Sequence, residues 1–332
     1  MADAVKRGVI GGVRDAIDFL LWSSGLIVLY RTGRTPGDLV CMTGTVSMLR
    51  RSLGARVIVV SRVPVLFRHH PDVLINIPLN ALPGPAARLL LALMHTVRGG
   101  RVQSYGVEPP QGLTIEQHIR ENLPPVHLMR LHAMHFPFSL SEGPARATIV
   151  FGEAEERGFA RALRALGLEA GSYALVHSEG KTSYTPNKEW GGGRMAAVVA
   201  ALPRIRFVQV GLASDALIPG CLDLRGKTPD LRHLAYLIRQ ARFLLCLEGL
   251  YNHLAGAFHT PSLVVFSGFH HAGVATYPNT VPLTNPVMPP CAPCWLCVPC
   301  PVPGKPCMSD LTPAHVVAEI ARRFPPPEGR GA

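Results

Sequence analysis

Short apolar runs rich in branched residues alternate with helical patterns along this chain, and the alternation occurs in both halves. Such runs predict buried strands, and strands separated by helices predict parallel sheets with helices on both faces. The predicted fold is therefore α/β, with two doubly wound parallel-sheet domains at 1–165 and 166–332, and a helix at 4–24 before the first strand. The predicted strands lie at 25–33, 55–62, 72–79, 172–180, 206–212, 242–249 and 262–268.

The 332-residue chain is 48% hydrophobic and carries a formal charge of +11, so it can bury sizeable cores and suits an anionic partner. A nucleotide, another phosphorylated ligand or an acidic membrane face would fit this charge. A basic protein with no special partner would fit it equally well. The basic residues are scattered and aromatic residues are not interleaved with them, which argues against nucleic acid.

The best candidate for a membrane span, 19–30, is shorter than the roughly 20 residues that a membrane-spanning helix needs. Charged residues also interrupt the first apolar run, unlike a secretory signal. We therefore expect a cytoplasmic protein. The helix at 4–24 is amphipathic, with Val13, Ile17 and Leu20 on one face, and it could pack on the first domain, on a second subunit or peripherally on the inner membrane face.

Ligands of parallel sheets bind beyond the carboxyl ends of the strands, so the residues that follow strands are the candidate site residues. After the first strand comes Asp38, which could act as a general base or could cap a helix, and the pattern alone favours the cap. Gly37, Thr43 and Gly44 in the same stretch are candidates for contact with an acceptor.

Two further strand ends carry polar residues. In the second half, Lys181, Ser183, Thr185 and Lys188 could hold phosphate oxygens, or they could form a solvated polar loop. After another strand, the stretch "EGLYNH" could bind a nucleotide, but Glu248 could equally cap the helix and His253 could be a core histidine. The candidate donor-binding residues of that stretch are Glu248, Gly249, Leu250 and His253.

The order of "RTGRTPGDLV", "HSEG…NKEW", "DLRGKTPDLRHL…CLEGLYNHLAG" and "CAPC…PCMSDLTPAHVV" resembles glycosyltransferase family nine, the group of the ADP-heptose:lipopolysaccharide heptosyltransferases. The resemblance implies a GT-B architecture, in which two Rossmann-like domains face each other across a cleft. The first domain would bind a glycan, lipopolysaccharide-core or protein acceptor. The second would bind a nucleotide-diphosphate sugar.

By the same resemblance, Asp38 takes the place of the catalytic base and Lys188 that of a lysine that contacts donor phosphates. Glu248 and His253 stand where the family has the Asp and His of an Asp-Ser/Thr-Gly-x-x-His signature. The acid is one methylene longer here and the glycine comes one position earlier, so the donor base and sugar stay open. The implied reaction is inverting displacement without a catalytic metal.

Five cysteines lie in the segment 291–307, which we call the cysteine loop. Four of them, with Cys297 as an extra, have spacings that could hold zinc or iron tetrahedrally. A proline-rich loop with reduced thiols is the alternative. The resemblance adds that some family members carry iron in such a loop. The four predicted ligands are Cys291, Cys294, Cys300 and Cys307.

Two other functions remain open from the sequence. One is a catalytically inactive glycosyltransferase-like scaffold, and the other is a metal-cysteine or anion-binding protein. An oligomer is compatible with each of them.

Overall fold

The computed structural model describes residues 2–140, 143–180 and 182–325, with side chains from residue 10 onward. The helices and strands follow in chain order: α1 (Ala2–Ser23), β1 (Leu26–Tyr30), α2 (Pro36–Leu53), β2 (Arg56–Ser61), β3 (Val73–Pro78), α3 (Gly84–Thr96), β4 (Val102–Ser104), α4 (Ile115–Asn122), α5 (Leu128–Leu131), α6 (Glu153–Ala165), β5 (Ala174–His177), α7 (Gly192–Ala201), β6 (Phe207–Gln209), β7 (Leu222–Asp223), α8 (Leu231–Gln240), β8 (Phe243–Leu247), α9 (Leu250–Phe258), β9 (Ser262–Val265), β10 (Thr280–Leu283), α10 (Pro306–Ser309) and α11 (Pro313–Arg323). Single 3-10 turns lie at Pro64–Phe67, Pro186–Lys188 and Ala272–Val274.

The chain divides into two compact units. The first comprises Met1–Ile115 and Val126–Gly152, and the second comprises Glu116–Pro125 and Glu153–Ala332. The prediction placed α6 in the first domain because it put the boundary at 165. In the structure α6 groups with the second unit.

The first unit is built on a parallel sheet of strand order β3-β2-β1-β4. Strand β1 lies inside this sheet, and four of its five residues are buried. The prediction that β3 is buried is wrong, since Leu74 is 39% and Ile75 48% exposed. Strand β3 has a neighbour on one side only, so as an edge strand it buries less apolar surface.

Asp38 lies in the first turn of α2. Pro36 occupies the first turn, where its missing N–H costs no hydrogen bond, and Gly54 ends the helix with φ +65°. The N-cap residue is Thr35. The preferred interpretation of Asp38 as the cap is therefore wrong, because Asp38 lies inside the first turn.

Helix α1 packs on the first unit through a face that shares Ile17 with the predicted one. Ile17 and Leu21 contact the core of the first unit, whereas Val13 and Leu20 are exposed. Within the described ranges no helix combines the length and hydropathy needed to cross a membrane.

The second unit is built on a six-stranded parallel sheet of order β10-β9-β8-β5-β6-β7. Strand β8 lies inside the sheet and all of its residues are buried. Because the strands are parallel, the carboxyl ends of β5, β8 and β9 meet at one edge. The residues that follow these three strands form the candidate site.

Candidate functional site

Glu248 is the centre of a buried charged cluster in the second unit. It directly follows β8, and its side chain is 5% exposed. Lys188 contacts its Oε2, and His270 Nε2 lies 3.1 Å from the same oxygen. Burial alone would raise the pKa of Glu248, but Lys188, His270 and His253 outweigh it and hold that pKa well below its ordinary value. Glu248 is therefore a carboxylate at neutral pH.

Lys188 meets this carboxylate in an aromatic setting. It ends the 3-10 turn Pro186–Lys188. Its ammonium nitrogen lies 4.8 Å from the ring centroid of Phe269 and 5.8 Å from that of Tyr184. A cation over aromatic faces is stabilised electrostatically, so both the carboxylate and the rings hold Lys188 at the carboxyl edge of the sheet.

The amino end of α9 lies beside the cluster. Gly249 is the N-cap with φ +149°, a conformation that favours glycine, and a Cβ placed on it would meet no atom within 4 Å. Glu248 is therefore not the cap, and that alternative is wrong. Leu250 is the first residue of α9. The amides that start α9 and the ammonium of Lys188 are groups that can bind an anion, and Gly249 leaves open space beside the helix start.

His253 lies one turn into α9 and is 2% exposed. Its Nδ1 is 2.7 Å from the hydroxyl of Tyr277, and its Nε2 is 4.0 Å from Glu248 Oε1. It is thus a buried core histidine with a hydrogen-bond partner, as the alternative interpretation had it, and it also borders the charged cluster.

A second group lies at the end of β5. The ring of His177 stacks on Tyr251 with centroids 3.8 Å apart, and its Nε2 is 4.0 Å from Asp215 Oδ2. Burial lowers the pKa of His177 to about 3 and raises that of Asp215. A neutral imidazole, an aromatic ring and a carboxylate at a strand end can contact the base and hydroxyls of a nucleoside.

The remaining predicted donor residues differ in their surroundings. Ser183 is exposed, and Lys181 lies outside the described residues. Thr185 is buried, and its hydroxyl donates to the carbonyl oxygen of Leu296 in the cysteine loop at 2.8 Å. Thr185 therefore anchors the loop.

Asp38 lies in the first unit in contact with Arg31, which follows β1. The guanidinium of Arg31 contacts Asp38 Oδ2 and donates a 2.6 Å hydrogen bond to the carbonyl oxygen of Tyr105. The side chain of Asp38 is 23% exposed. This pair fixes one carboxylate oxygen while the residue keeps access to solvent.

The three predicted acceptor residues near Asp38 are buried. The Thr43 hydroxyl accepts a 2.9 Å hydrogen bond from the backbone N–H of Thr148. A Cβ on Gly44 would lie 2.3 Å from the carbonyl oxygen of Arg146, so that glycine permits close packing of α2. Acceptor contact by Gly37, Thr43 and Gly44 stays a prediction.

Sequence reasoning missed several residues of these two sites. Arg31 directly follows β1, and His270 follows β9 within "FSGFHH". Asp38 and Glu248 were selected because they follow predicted strands, and the same criterion would have selected Arg31 and His270. Tyr277 carried no such signal, because it lies in an irregular segment and reaches His253 only through the tertiary fold.

The cysteine loop packs against the segment that carries Lys188. A cavity of about 50 Å³ in this region is lined by four of the five loop cysteines. Cys297 is not among them, and its surroundings include Tyr184 and Glu116. The four lining cysteines are those predicted as ligands, namely Cys291, Cys294, Cys300 and Cys307.

These four thiols are donors of the type that a structural zinc or iron takes, and they line one cavity. Burial raises the pKa of Cys294, and the neighbouring Cys307 and Cys291 raise it further. Among residues 2–140, 143–180 and 182–325, however, no three His, Cys, Asp or Glu side chains are arranged to hold a metal ion. The thiols would have to converge to form a ligand sphere.

No protein-family model matches the chain, and no curated protein matches it in sequence. Solved structures do match. The iron-containing dodecameric glycosyltransferase TibC from enterotoxigenic E. coli has a TM-score of 0.61 and 19% identity, over 90% of this chain and 75% of TibC. E. coli heptosyltransferase WaaC, solved with ADP, has a TM-score of 0.55 and 15% identity, over 89% and 99%.

A third structure is the family 9 glycosyltransferase from Veillonella parvula. Its TM-score is 0.54 at 14% identity, over 77% of this chain and 85% of that one. At these identities the matches establish the fold. The chain has the two-unit parallel α/β fold of the heptosyltransferases.

Proposed function

We propose that the protein is an inverting glycosyltransferase that moves a heptose or related sugar from a nucleoside diphosphate to a glycan, lipopolysaccharide-core or protein acceptor. The observation that carries the proposal is the buried cluster of Lys188, Glu248 and His270 at the carboxyl edge of the second sheet. The fold shared with heptosyltransferases supports it, as does the ADP bound to WaaC.

In this proposal the second unit binds the donor. Lys188 and the amides that start α9 stabilise the diphosphate, most strongly when charge develops on it as a leaving group. Glu248 holds Lys188 in place. Asp215, His177 and Tyr251 lie at the neighbouring strand end, where they would contact the nucleoside.

In this proposal the first unit supplies the base. Asp38 accepts the proton of the acceptor hydroxyl while that oxygen forms a bond to the anomeric carbon, and the bond from that carbon to the diphosphate oxygen breaks. Arg31 binds Oδ2 and so orients Oδ1 toward the hydroxyl. No metal takes part in this step.

A transfer assay with a panel of nucleotide sugars tests the proposed function. We expect Asp38→Asn to lower turnover by about 100-fold or more, in line with loss of a general base. Asp15→Asn, an exposed residue of α1 in the same unit, is the matched control and should transfer at the wild-type rate. Equal rates for all three proteins would refute the role of Asp38. Donor binding without any transfer would favour the inactive scaffold.

We also propose a structural zinc or iron in the cysteine loop, held by Cys291, Cys294, Cys300 and Cys307. The shared cavity supports this, and so does the iron of TibC. Such an ion would supply a cross-link within the loop and no chemistry in the transfer.

Elemental analysis of the purified protein measures the metal. We expect about one equivalent of zinc or iron per chain, lost in Cys300→Ser and retained in Cys297→Ser. Less than a tenth of an equivalent in the wild-type protein would end the metal proposal.

Self-association and peripheral contact with the inner face of the cytoplasmic membrane stay predictions. The dodecameric state of TibC supports the first. The exposed apolar side chains of α1, including Phe19 and Trp22, are compatible with both.

A further inference from the structure

The cysteine loop and the Lys188 segment are joined through one buried side chain, that of Asn187, which is 4% exposed. Its Nδ2 donates to the carbonyl oxygens of Leu296 at 2.7 Å and Val298 at 2.8 Å. Its Oδ1 accepts from the backbone N–H of Cys300 at 3.0 Å. Three polar groups of the loop backbone are thus satisfied by the residue that precedes Lys188.

Two further hydrogen bonds join the cysteine loop to the Lys188 segment, and we call this contact the junction. The Lys305 ammonium donates to the carbonyl oxygen of Pro186 at 2.6 Å, and the Thr185 hydroxyl donates to that of Leu296. The loop therefore holds the N-cap Thr185 and the first two residues, Pro186 and Asn187, of the 3-10 turn that ends in Lys188. Because the residues just before Lys188 are hydrogen-bonded to the loop, Lys188 has little freedom to move away from it.

The loop also contacts His270, the second residue beside Glu248 Oε2. The backbone N–H of Trp295 donates to the carbonyl oxygen of Phe269 at 2.8 Å. The indole lies 5.2 Å from the ring of Phe269 and 5.4 Å from that of His270, measured between centroids. Trp295 is 8% exposed, so it backs the side of the cluster formed by Phe269 and His270.

We propose that the cysteine loop positions the charged cluster, with Asn187 as the positioning residue for Lys188. Lys188 and His270 flank one carboxylate oxygen, and each is supported from the loop by a separate route. A loop that only cross-linked the chain would not need to contact the surroundings of both Lys188 and His270. The consequence for nucleotide affinity rests on the proposed function.

The test compares two buried asparagines of the same region. Asn187→Asp keeps the acceptor for Cys300 but replaces two donated hydrogen bonds with repulsion between oxygens. Asn285→Asp is the matched control. Asn285 is 3% exposed, and its side chain joins the segment before the cysteine loop to Asp310 and Leu311 after it. These hydrogen bonds involve neither the Lys188 turn nor Glu248.

The first readout needs no nucleotide. We expect the imidazole NMR signals of His270 to shift in Asn187→Asp, because Lys188 leaves Glu248, and to stay unchanged in Asn285→Asp. Lys305→Met, which removes one bond of the junction and should fold normally, should produce a smaller shift in the same direction. Unchanged His270 signals in Asn187→Asp and Lys305→Met, or equal shifts in Asn187→Asp and the Asn285 control, would overturn the proposal.

The second readout is the Kd of ADP, UDP and GDP. We expect the nucleotide that binds the wild-type protein to bind Asn187→Asp at least tenfold more weakly and Asn285→Asp with the wild-type Kd. If Asn187→Asp keeps the wild-type Kd, the positioning role is refuted. If the wild-type protein binds none of the three while the His270 signals respond as expected, the proposed function fails and the positioning role stands.

Discussion

Glu248 shows how a buried carboxylate is kept charged in this protein. Burial favours its protonated form, yet Lys188 within contact distance and His270 at 3.1 Å favour the charged form more strongly. The carboxylate in turn holds Lys188 at the strand end. Lys188, whose ammonium we assign to donor binding, is therefore positioned by Glu248, which need not contact the donor.

This balance predicts how stability depends on pH. The folded-state pKa of Glu248 lies below its ordinary value of 4.5, so the carboxylate stabilises the fold fully above about pH 4.5 and loses this effect as the pH falls through the folded-state pKa. We expect the difference in unfolding free energy between wild type and Glu248→Gln to be constant from about pH 7 to 5 and to shrink toward pH 3.

Urea unfolding at each pH measures this difference. Glu121→Gln, which removes an exposed carboxylate of the same unit, controls for the loss of one negative charge. A wild-type minus Glu248→Gln difference that stays flat down to about pH 3 would show that Lys188 and His270 do not stabilise the charged form.

The sequence predicts site residues where local pattern determines their place. Asp38, Lys188 and Glu248 follow apolar strands or lie near them, and parallel topology brings the strand ends of each sheet to one edge of that sheet. The ion pair of Arg31 with Asp38 and the contact of His253 with Tyr277 depend on side chains that meet only after folding. No spacing in the sequence encodes those contacts, and the sequence pattern alone assigned Asp38 to a cap.

Helices α6 and α8 are joined by one buried and one exposed ion pair, which gives an internal comparison. Arg232 is 1% exposed at its side chain and binds Glu155 through two hydrogen bonds of 2.9 and 2.7 Å. Arg239 contacts Glu156 on the same two helices with both side chains more than a third exposed.

We expect Arg232→Ala to lower the free energy of unfolding by about 3–5 kcal/mol, because it leaves the Glu155 charge without this partner in a largely buried place. Arg239→Ala should cost no more than about 1 kcal/mol, because solvent screens the exposed pair. Guanidinium unfolding of both variants checks the prediction. Similar losses would mean that burial does not set the strength of these pairs.

The elements that the sequence identified are those with strong local patterns. Strands β1, β2, β5, β8 and β9 are runs of branched apolar residues, and the structure confirms them. Strands β4, β7 and β10 were not predicted. The first two have three and two residues, and β10 contains Pro282 at a sheet edge, where proline is tolerated.

The two parallel-sheet units follow from the repeated alternation of strands and helices, and the fold match to heptosyltransferases agrees with them. The exact division did not follow, because a helix pattern does not reveal which sheet it will cover. Helix α6 pairs its acidic first turn with α8, and its Phe159 packs against His233 and Tyr236 of α8. These tertiary contacts link α6 to the second unit.

Both the proposed donor site and the proposed reaction require that the second unit bind a nucleoside diphosphate at Lys188 and Glu248. Isothermal titration of ADP, UDP and GDP into wild type, Lys188→Ala and the exposed control Lys227→Ala tests this directly. We predict that one nucleotide binds wild type and Lys227→Ala equally and loses at least tenfold, about 1.4 kcal/mol, in folded Lys188→Ala. Binding that is unchanged in Lys188→Ala, or no binding of any nucleotide to wild type, would contradict the account.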